Sequence, residues 1–112
     1  MKTFNLQTGK LGEEIARKYL EKNGYKIIER NFKTKYAEID LISQKDKEII
    51  LIEVRTKIGE MFGTPEESLT RRKLRKLCFN AKLVRATRID AICIVLRPDR
   101  TVERLNHYEN IV

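Results

Sequence analysis

The chain has 112 residues, 41% hydrophobic and 36% charged, with a net charge of +8. That is enough apolar material for one core, so a single domain over 1–112 is expected. The longest apolar runs, such as Ile49 to Ile52, are far too short to cross a bilayer, and no charged-then-apolar leader is seen. Cys78 and Cys93 lie among apolar neighbours at a spacing that suits no zinc site, so a reduced, cytoplasmic chain is the expectation.

Residues 9–23 read as a helix. Leu11, Ile15 and Tyr19 repeat at four, as do Gly12, Ala16 and Leu20, which gives one apolar stripe. Gly24 suits the position just past its end. Tyr25 to Phe32 reads as a strand, Ala37 to Ser43 as a second and Glu48 to Thr56 as a third. The Lys45-Asp46-Lys47 turn makes the last two an antiparallel hairpin. A loop punctuated by Gly59 and Gly63 follows. Thr64-Pro65-Glu66-Glu67 then has the form of a capping box with proline at the first helical position. The helix it opens runs to about Val84, with a break expected near Thr70. Its buried stripe is Leu74, Leu77, Cys78, Ala81 and Val84. Arg88 to Leu96 reads as a strand, and Thr101 to Leu105, after the Pro98-Asp99-Arg100 turn, as a last one. This order predicts a mixed sheet flanked by helices, with a parallel pair joined across the long helix.

The charge is concentrated. Between Ser68 and Ile89 there are eight basic residues and no acidic one, while the other 16 basic residues are matched by 16 acidic ones. Arg71, Arg72, Arg75, Lys82 and Arg85 fall largely outside the buried stripe, and with Lys76 they are the candidate nucleic-acid contacts. A one-sided positive field of this kind attracts polyanions, and nucleic acid is the commonest. It also suits a solvated helix face in a basic protein.

Glu53 interrupts a third strand that is otherwise apolar from Ile49 to Val54. A carboxylate buried there needs a cation, a metal or a hydrogen-bond network. In a hairpin Asp40 lies across from it or on a neighbouring diagonal. Two close carboxylates repel, and a divalent cation relieves the repulsion. Mg²⁺ typically takes one or two carboxylates and completes its shell with waters and phosphate oxygens. Arg55, on the same face as Glu53, is placed to hold a phosphate or a water. The same three side chains also suit a plain salt-bridge network. Glu13 falls at the edge of the first helix's apolar stripe, either reaching the sheet or serving as a surface acid in the first turn. Tyr36 and Phe62 sit in loops where an aromatic ring can stack on a base. His107 reads as a packing or hydrogen-bonding residue, and Arg88 and Asp90 as a pair on one strand face.

Several segments carry a further resemblance. Gly9-Lys-Leu-Gly12-Glu13-Glu-Ile-Ala16 with Tyr19-Leu20, Glu38-Ile39-Asp40-Leu41-Ile42, Ile52-Glu53-Val54-Arg55, Phe62-Gly63-Thr64-Pro65, Arg88-Ile89-Asp90 and His107-Tyr108-Glu109-Asn110 resemble, in order, the motifs of the YraN-type bacterial family, UPF0102. The resemblance implies a restriction-endonuclease-like α-β-β-β-α-β core of the kind shared with Holliday-junction resolvases. It implies Mg²⁺ or Mn²⁺ on Asp40 and Glu53, and catalytic roles for Glu13, Asp40, Glu53 and Arg55. Ala37 departs from the glycine usual before Glu-Ile-Asp. Arg55 departs from the lysine of the nucleases, and Lys57 can share its task if the strand continues. By analogy with junction-cutting relatives, a homodimer is plausible.

Three functions follow as expectations. The first is a Mg²⁺-dependent endonuclease acting on DNA, on branched or damaged forms. The second is a nucleic-acid-binding module with a nuclease fold and no catalysis. The third is an interaction protein whose basic helix docks an acidic partner.

Overall fold

The apolar periodicities translate into a sheet covered on both faces. A computed structural model describes residues 2–112. Helix α1 (Lys2–Lys22) is followed by strands β1 (Lys26–Lys33), β2 (Glu38–Lys45) and β3 (Glu48–Ile58). A short 3-10 turn, Glu66–Ser68, precedes helix α2 (Arg71–Val84), and strands β4 (Arg88–Leu96) and β5 (Val102–Tyr108) complete the chain. The sheet runs β1-β2-β3-β4-β5. β3 and β4 are parallel and every other neighbouring pair is antiparallel. This is the α-β-β-β-α-β order with one added edge strand.

The two helices lie on opposite faces. α1 packs Ala16 and Leu20 against Leu41, Ile50, Ile52, Val54, Ile92 and Ile94. α2 packs Leu77 and Ala81 against Ile39, Ile42, Leu51 and Ile89. The alternation along β3 thus sends Ile50, Ile52 and Val54 to α1, and Leu51 to α2. β4, covered on both faces, is buried from Ile89 to Leu96, as a parallel strand inside an α/β layer should be. Among the described residues no helix is long and apolar enough to cross a membrane.

The elements differ from expectation mainly at their ends. α1 begins seven residues before the expected start at residue 9, at Lys2. The Thr64 cap forms, with Thr64 Oγ1 accepting the Glu67 N–H at 3.2 Å, but it opens only the 3-10 turn. That turn ends at Leu69, whose ψ of 74° leaves the helical range; the Ser68 hydroxyl donates to the Pro65 carbonyl at 2.6 Å and accepts from Arg55 Nε at 2.7 Å. α2 then starts afresh at the expected break, where Thr70 Oγ1 accepts the Lys73 N–H at 3.2 Å. It ends at Arg85, which takes a left-handed φ of 58°.

α1 approaches β3 closely at Gly12. A Cβ there would lie 1.8 Å from Thr56 Oγ1, so only glycine allows this separation.

Candidate metal and phosphate site

The hairpin register places the two acids. β2 and β3 pair from Lys45↔Glu48 to Leu41↔Ile52, and one step further Asp40 faces Glu53. Backbone pairing stops there. Asp40 Oδ2 instead accepts the Val54 N–H at 2.8 Å, so a side chain takes over the ladder where the strands part. The parting opens a cleft of about 780 Å³ between the start of α1, the β2–β3 fork, the Gly59–Gly63 loop and the first turns of α2.

Its electrostatics are unbalanced. Glu53 is buried, with 2% of its surface exposed, and Asp40 is half-buried. Burial, then the neighbouring Glu53 charge and the hydrogen bond between the two carboxyls, push the Asp40 carboxyl well above the usual range, against the pull of the Val54 N–H. The charge of Glu13 adds to the effect. Two carboxyls therefore share one site that tolerates one negative charge more readily than two.

Cations approach from one side. Lys73 Nζ, on α2, lies 3.1 Å from Glu53 Oε2, and Arg55 lies 3.6 Å from the same oxygen. Ser68 fixes the Arg55 guanidinium from behind. The turn carrying Ser68 is fastened in turn to β5, because Arg104 donates to Glu66 at 2.7 and 2.9 Å and to Glu60 at 3.2 Å. The Arg104 bonds hold the Glu66 carboxyl down to about 2. Glu13 also lines the cleft. Asn31, at a left-handed φ of 50°, donates to Glu13 at 3.0 Å and to Glu38 at 3.2 Å.

Among the described residues, no group of three or more His, Cys, Asp or Glu side chains is placed to hold a metal ion. The donors at the fork are two hard, closely spaced carboxyls, their repulsion eased in part by Lys73 and Arg55, beside an open cleft. That set suits Mg²⁺ or Mn²⁺, which complete their shells with waters and phosphate oxygens, and it lacks the ligand set of structural zinc.

The predicted residues do not all converge. Glu13, Asp40, Glu53, Arg55 and Lys76 line the cleft. Arg71, Arg72, Arg75 and Lys82 stand exposed along α2, and Arg85 lies just past its end. Among the described residues none of these six cations of the helix makes an ion pair, whereas Arg17, Arg30, Arg88 and Arg104 all do. Sequence reasoning passed over Lys73, although it stands four residues before Leu77 and eight before Ala81, on the inward stripe. Ser68 left no such signal. Lys57 does continue on β3 and lines the cleft, where Nζ donates to the Phe62 carbonyl at 3.4 Å.

A second polar cluster resembles a catalytic relay and is not part of the cleft. Asp90, fully buried, accepts from Arg88 Nε at 2.8 Å and from the Asn110 N–H at 3.0 Å, and pairs with His107 Nε2 at 2.8 Å. His107 Nδ1 lies 3.0 Å from the Tyr19 hydroxyl. The Arg88–Asp90 and His107–Asn110 motifs thus meet each other, tying β4, β5 and α1 together.

The model of the uncharacterised protein family UPF0102 matches residues 12–94, a span that holds the fork, the Arg55–Ser68 contact and all of α2. The chain belongs to UPF0102. A UPF0102 protein of Syntrophomonas wolfei is 51% identical over 74 residues, covering 66% of this chain and 64% of that protein. Another UPF0102 protein, from Caldanaerobacter subterraneus, is 40% identical over 98% of both chains. Among solved structures, the crystal structure of SSO0001 superposes with a TM-score of 0.50 at 18% identity. That match covers 91% of this chain but half of the other, and it bears on the fold alone.

Proposed function

We propose that this UPF0102 chain is a Mg²⁺- or Mn²⁺-dependent endonuclease acting on DNA, with branched or damaged duplexes as its substrates. The observation that carries the reading is the Asp40–Glu53 pair at the strand fork, two carboxyls forced together in an open cleft below a helix whose outer cations make no ion pair. When bound, the metal polarises the scissile phosphate and lowers the pKa of a water nucleophile. Asp40 and Glu53 would hold it, with the Val54 N–H orienting Asp40. Arg55 keeps its proton at any ordinary pH, so it is no general base. Held by Ser68, it clamps a phosphate oxygen or orients the attacking water. Glu13 faces the same space and positions a further water. Arg71, Arg72, Arg75, Lys76, Lys82 and Arg85 grip flanking backbone phosphates, with counterion release as the driving term. One cleft addresses one strand, so cutting both strands of a junction calls for two copies.

The test is a cleavage panel of linear, nicked, branched and single-stranded DNA with Mg²⁺ or Mn²⁺. Nicking that disappears in Asp40→Ala and Glu53→Ala is the expected result. Absence of cleavage on every form, with the metal unbound in calorimetry, sinks the proposal. The Lys73–Glu53 contact favours a second reading, a binding module in which lysine neutralises the acid in place of a metal. That reading expects salt-sensitive DNA binding unaffected by a chelator.

A further inference from the structure

The turn between β1 and β2 meets the outer side of α2 in an aromatic pair. Tyr36 and Phe79 stack with ring centroids 5.2 Å apart and planes 22° from parallel. Yet 39% of Tyr36 and 44% of Phe79 remain exposed. Their placement is built in. Thr34 Oγ1 accepts the N–H groups of Tyr36 and Ala37 at 3.1 and 3.3 Å, and the Thr34 hydroxyl bonds to the side chain of Asn80. Asn80 is fully buried and directly follows Phe79, so the helix that presents one ring also anchors the turn that presents the other. Leu83, one helical turn on, is 52% exposed and widens the apolar patch.

The surroundings are positive. Arg75 and Lys76 precede Phe79 by one turn and Lys82 follows it by one turn, on the same side of the helix. All three are exposed. Lys35 Nζ sits over the Tyr36 ring, 5.3 Å from its centroid. Ala37 and Glu38, next to Tyr36, and Lys76 and Leu77, just before Phe79, line the cleft.

We infer that Tyr36 and Phe79 form a stacking platform for an unpaired base, with the phosphates of that strand lying along Arg75, Lys76 and Lys82. The inference rests on the nucleic-acid reading of the cleft and deepens it by naming the substrate class: DNA with a single-stranded segment beside the scissile phosphate. An aromatic face accepts any base, which gives affinity without sequence preference. Bases inside a duplex are already covered on both faces, so only an unpaired one gains from the platform. A second copy of this chain would bring the same positive charges against the first, which opposes self-association through this face. A strand leaving the cleft passes the ring pair because the two features share the Tyr36–Glu38 and Lys76–Phe79 segments.

The experiment uses the full chain and a short DNA carrying 2-aminopurine, offered as a single strand and as the matching duplex. The single strand is expected to lose 2-aminopurine fluorescence on binding. Tyr36→Ala and Phe79→Leu, the latter keeping apolar volume without a ring, should weaken single-strand binding by about 5- to 100-fold and duplex binding by less than about twofold. Phe79→Trp should restore the quenching, and Arg75→Ala should weaken both DNA forms. Binding without quenching, or equal losses for single strand and duplex in Phe79→Leu, overturns the platform and leaves the nucleic-acid reading standing. Binding of poly-glutamate with no binding of either DNA form overturns both.

Discussion

Lys73 Nζ, carried by α2, lies 3.1 Å from Glu53 Oε2 on β3, so the buried acid of the cleft is met by a cation from the facing helix. Held at that oxygen, the ammonium competes with a divalent cation for Glu53. Replacing it with methionine removes the competitor and leaves the acids less neutralised. Lys73→Met should therefore bind Mn²⁺ roughly fivefold more tightly, the scale of one partly screened ion pair of about 1 kcal/mol. DNA nicking at limiting Mn²⁺ should rise in the same variant, because more of the protein carries the metal. Calorimetric titration reads the first effect, and a weaker Mn²⁺ affinity in Lys73→Met contradicts the competition.

Asp40 is held in an environment that raises its carboxyl pKa, through burial and the neighbouring Glu53. A raised folded value means stability is full below the ordinary carboxyl range and declines as pH rises toward the folded value. The metal-free protein should thus be less stable at pH 8 than its Asp40→Asn variant, which keeps the acceptor for the Val54 N–H without the charge. A gain on the order of 1 kcal/mol is expected, with loss of Mg²⁺-induced stabilisation. Thermal melts with and without Mg²⁺ measure both effects. An Asp40→Asn variant less stable than the parent at pH 8 argues against the strained pair.

Asp90 works in the opposite direction. Its burial raises the carboxyl pKa, but the bonds from His107, Arg88 and the Asn110 N–H outweigh burial and hold it below the usual range. The unfolded chain takes up this proton first as pH falls, so the network's stability is present above the ordinary carboxyl range and lost below it. Asp90→Ala removes the buried acceptor shared by Arg88, His107 and the Asn110 N–H, while Arg88 keeps Glu48 and Glu109, and should cost about 1–3 kcal/mol at pH 7. The cost should shrink toward pH 3 as the parent loses the same interaction. Urea denaturation at several pH values decides this, and a pH-independent difference would contradict the assignment.

At Gly12 two magnitudes compete. Glycine to alanine inside a helix ordinarily gains up to about 1 kcal/mol. Here the new Cβ would fall 1.8 Å from Thr56 Oγ1, and overpacking of that kind costs about 1–3 kcal/mol or more. Gly12→Ala should be net destabilising and should shift Glu13, on the next residue, relative to the cleft. Adding Thr56→Ala should recover part of the loss. Equal melting temperatures for Gly12→Ala and the parent would show that α1 can move away freely.

The sequence alone determined the elements and the identities at the fork. Period-two and helical patterning are local, so β4 was placed at Arg88–Leu96, and the interruption of β3 by Glu53 marked the buried acid. The pairing of Asp40 with Glu53 followed from a short hairpin, where turn length sets register. Tertiary structure decided the rest. Lys73 reaches Glu53, Ser68 locks Arg55, and Asp90 gathers Arg88, His107 and Asn110 through contacts between elements far apart in the chain, whose relative rotation no periodicity encodes. The fork itself is also tertiary: backbone pairing ends at Leu41 and Ile52, and the Asp40 side chain accepts the Val54 N–H beyond it. The basic charge of α2 was plain in the sequence, but the freedom of its outer cations from acidic partners, the Lys73–Glu53 contact and the nearness of the Tyr36–Phe79 stack depended on how the helix lies across the sheet.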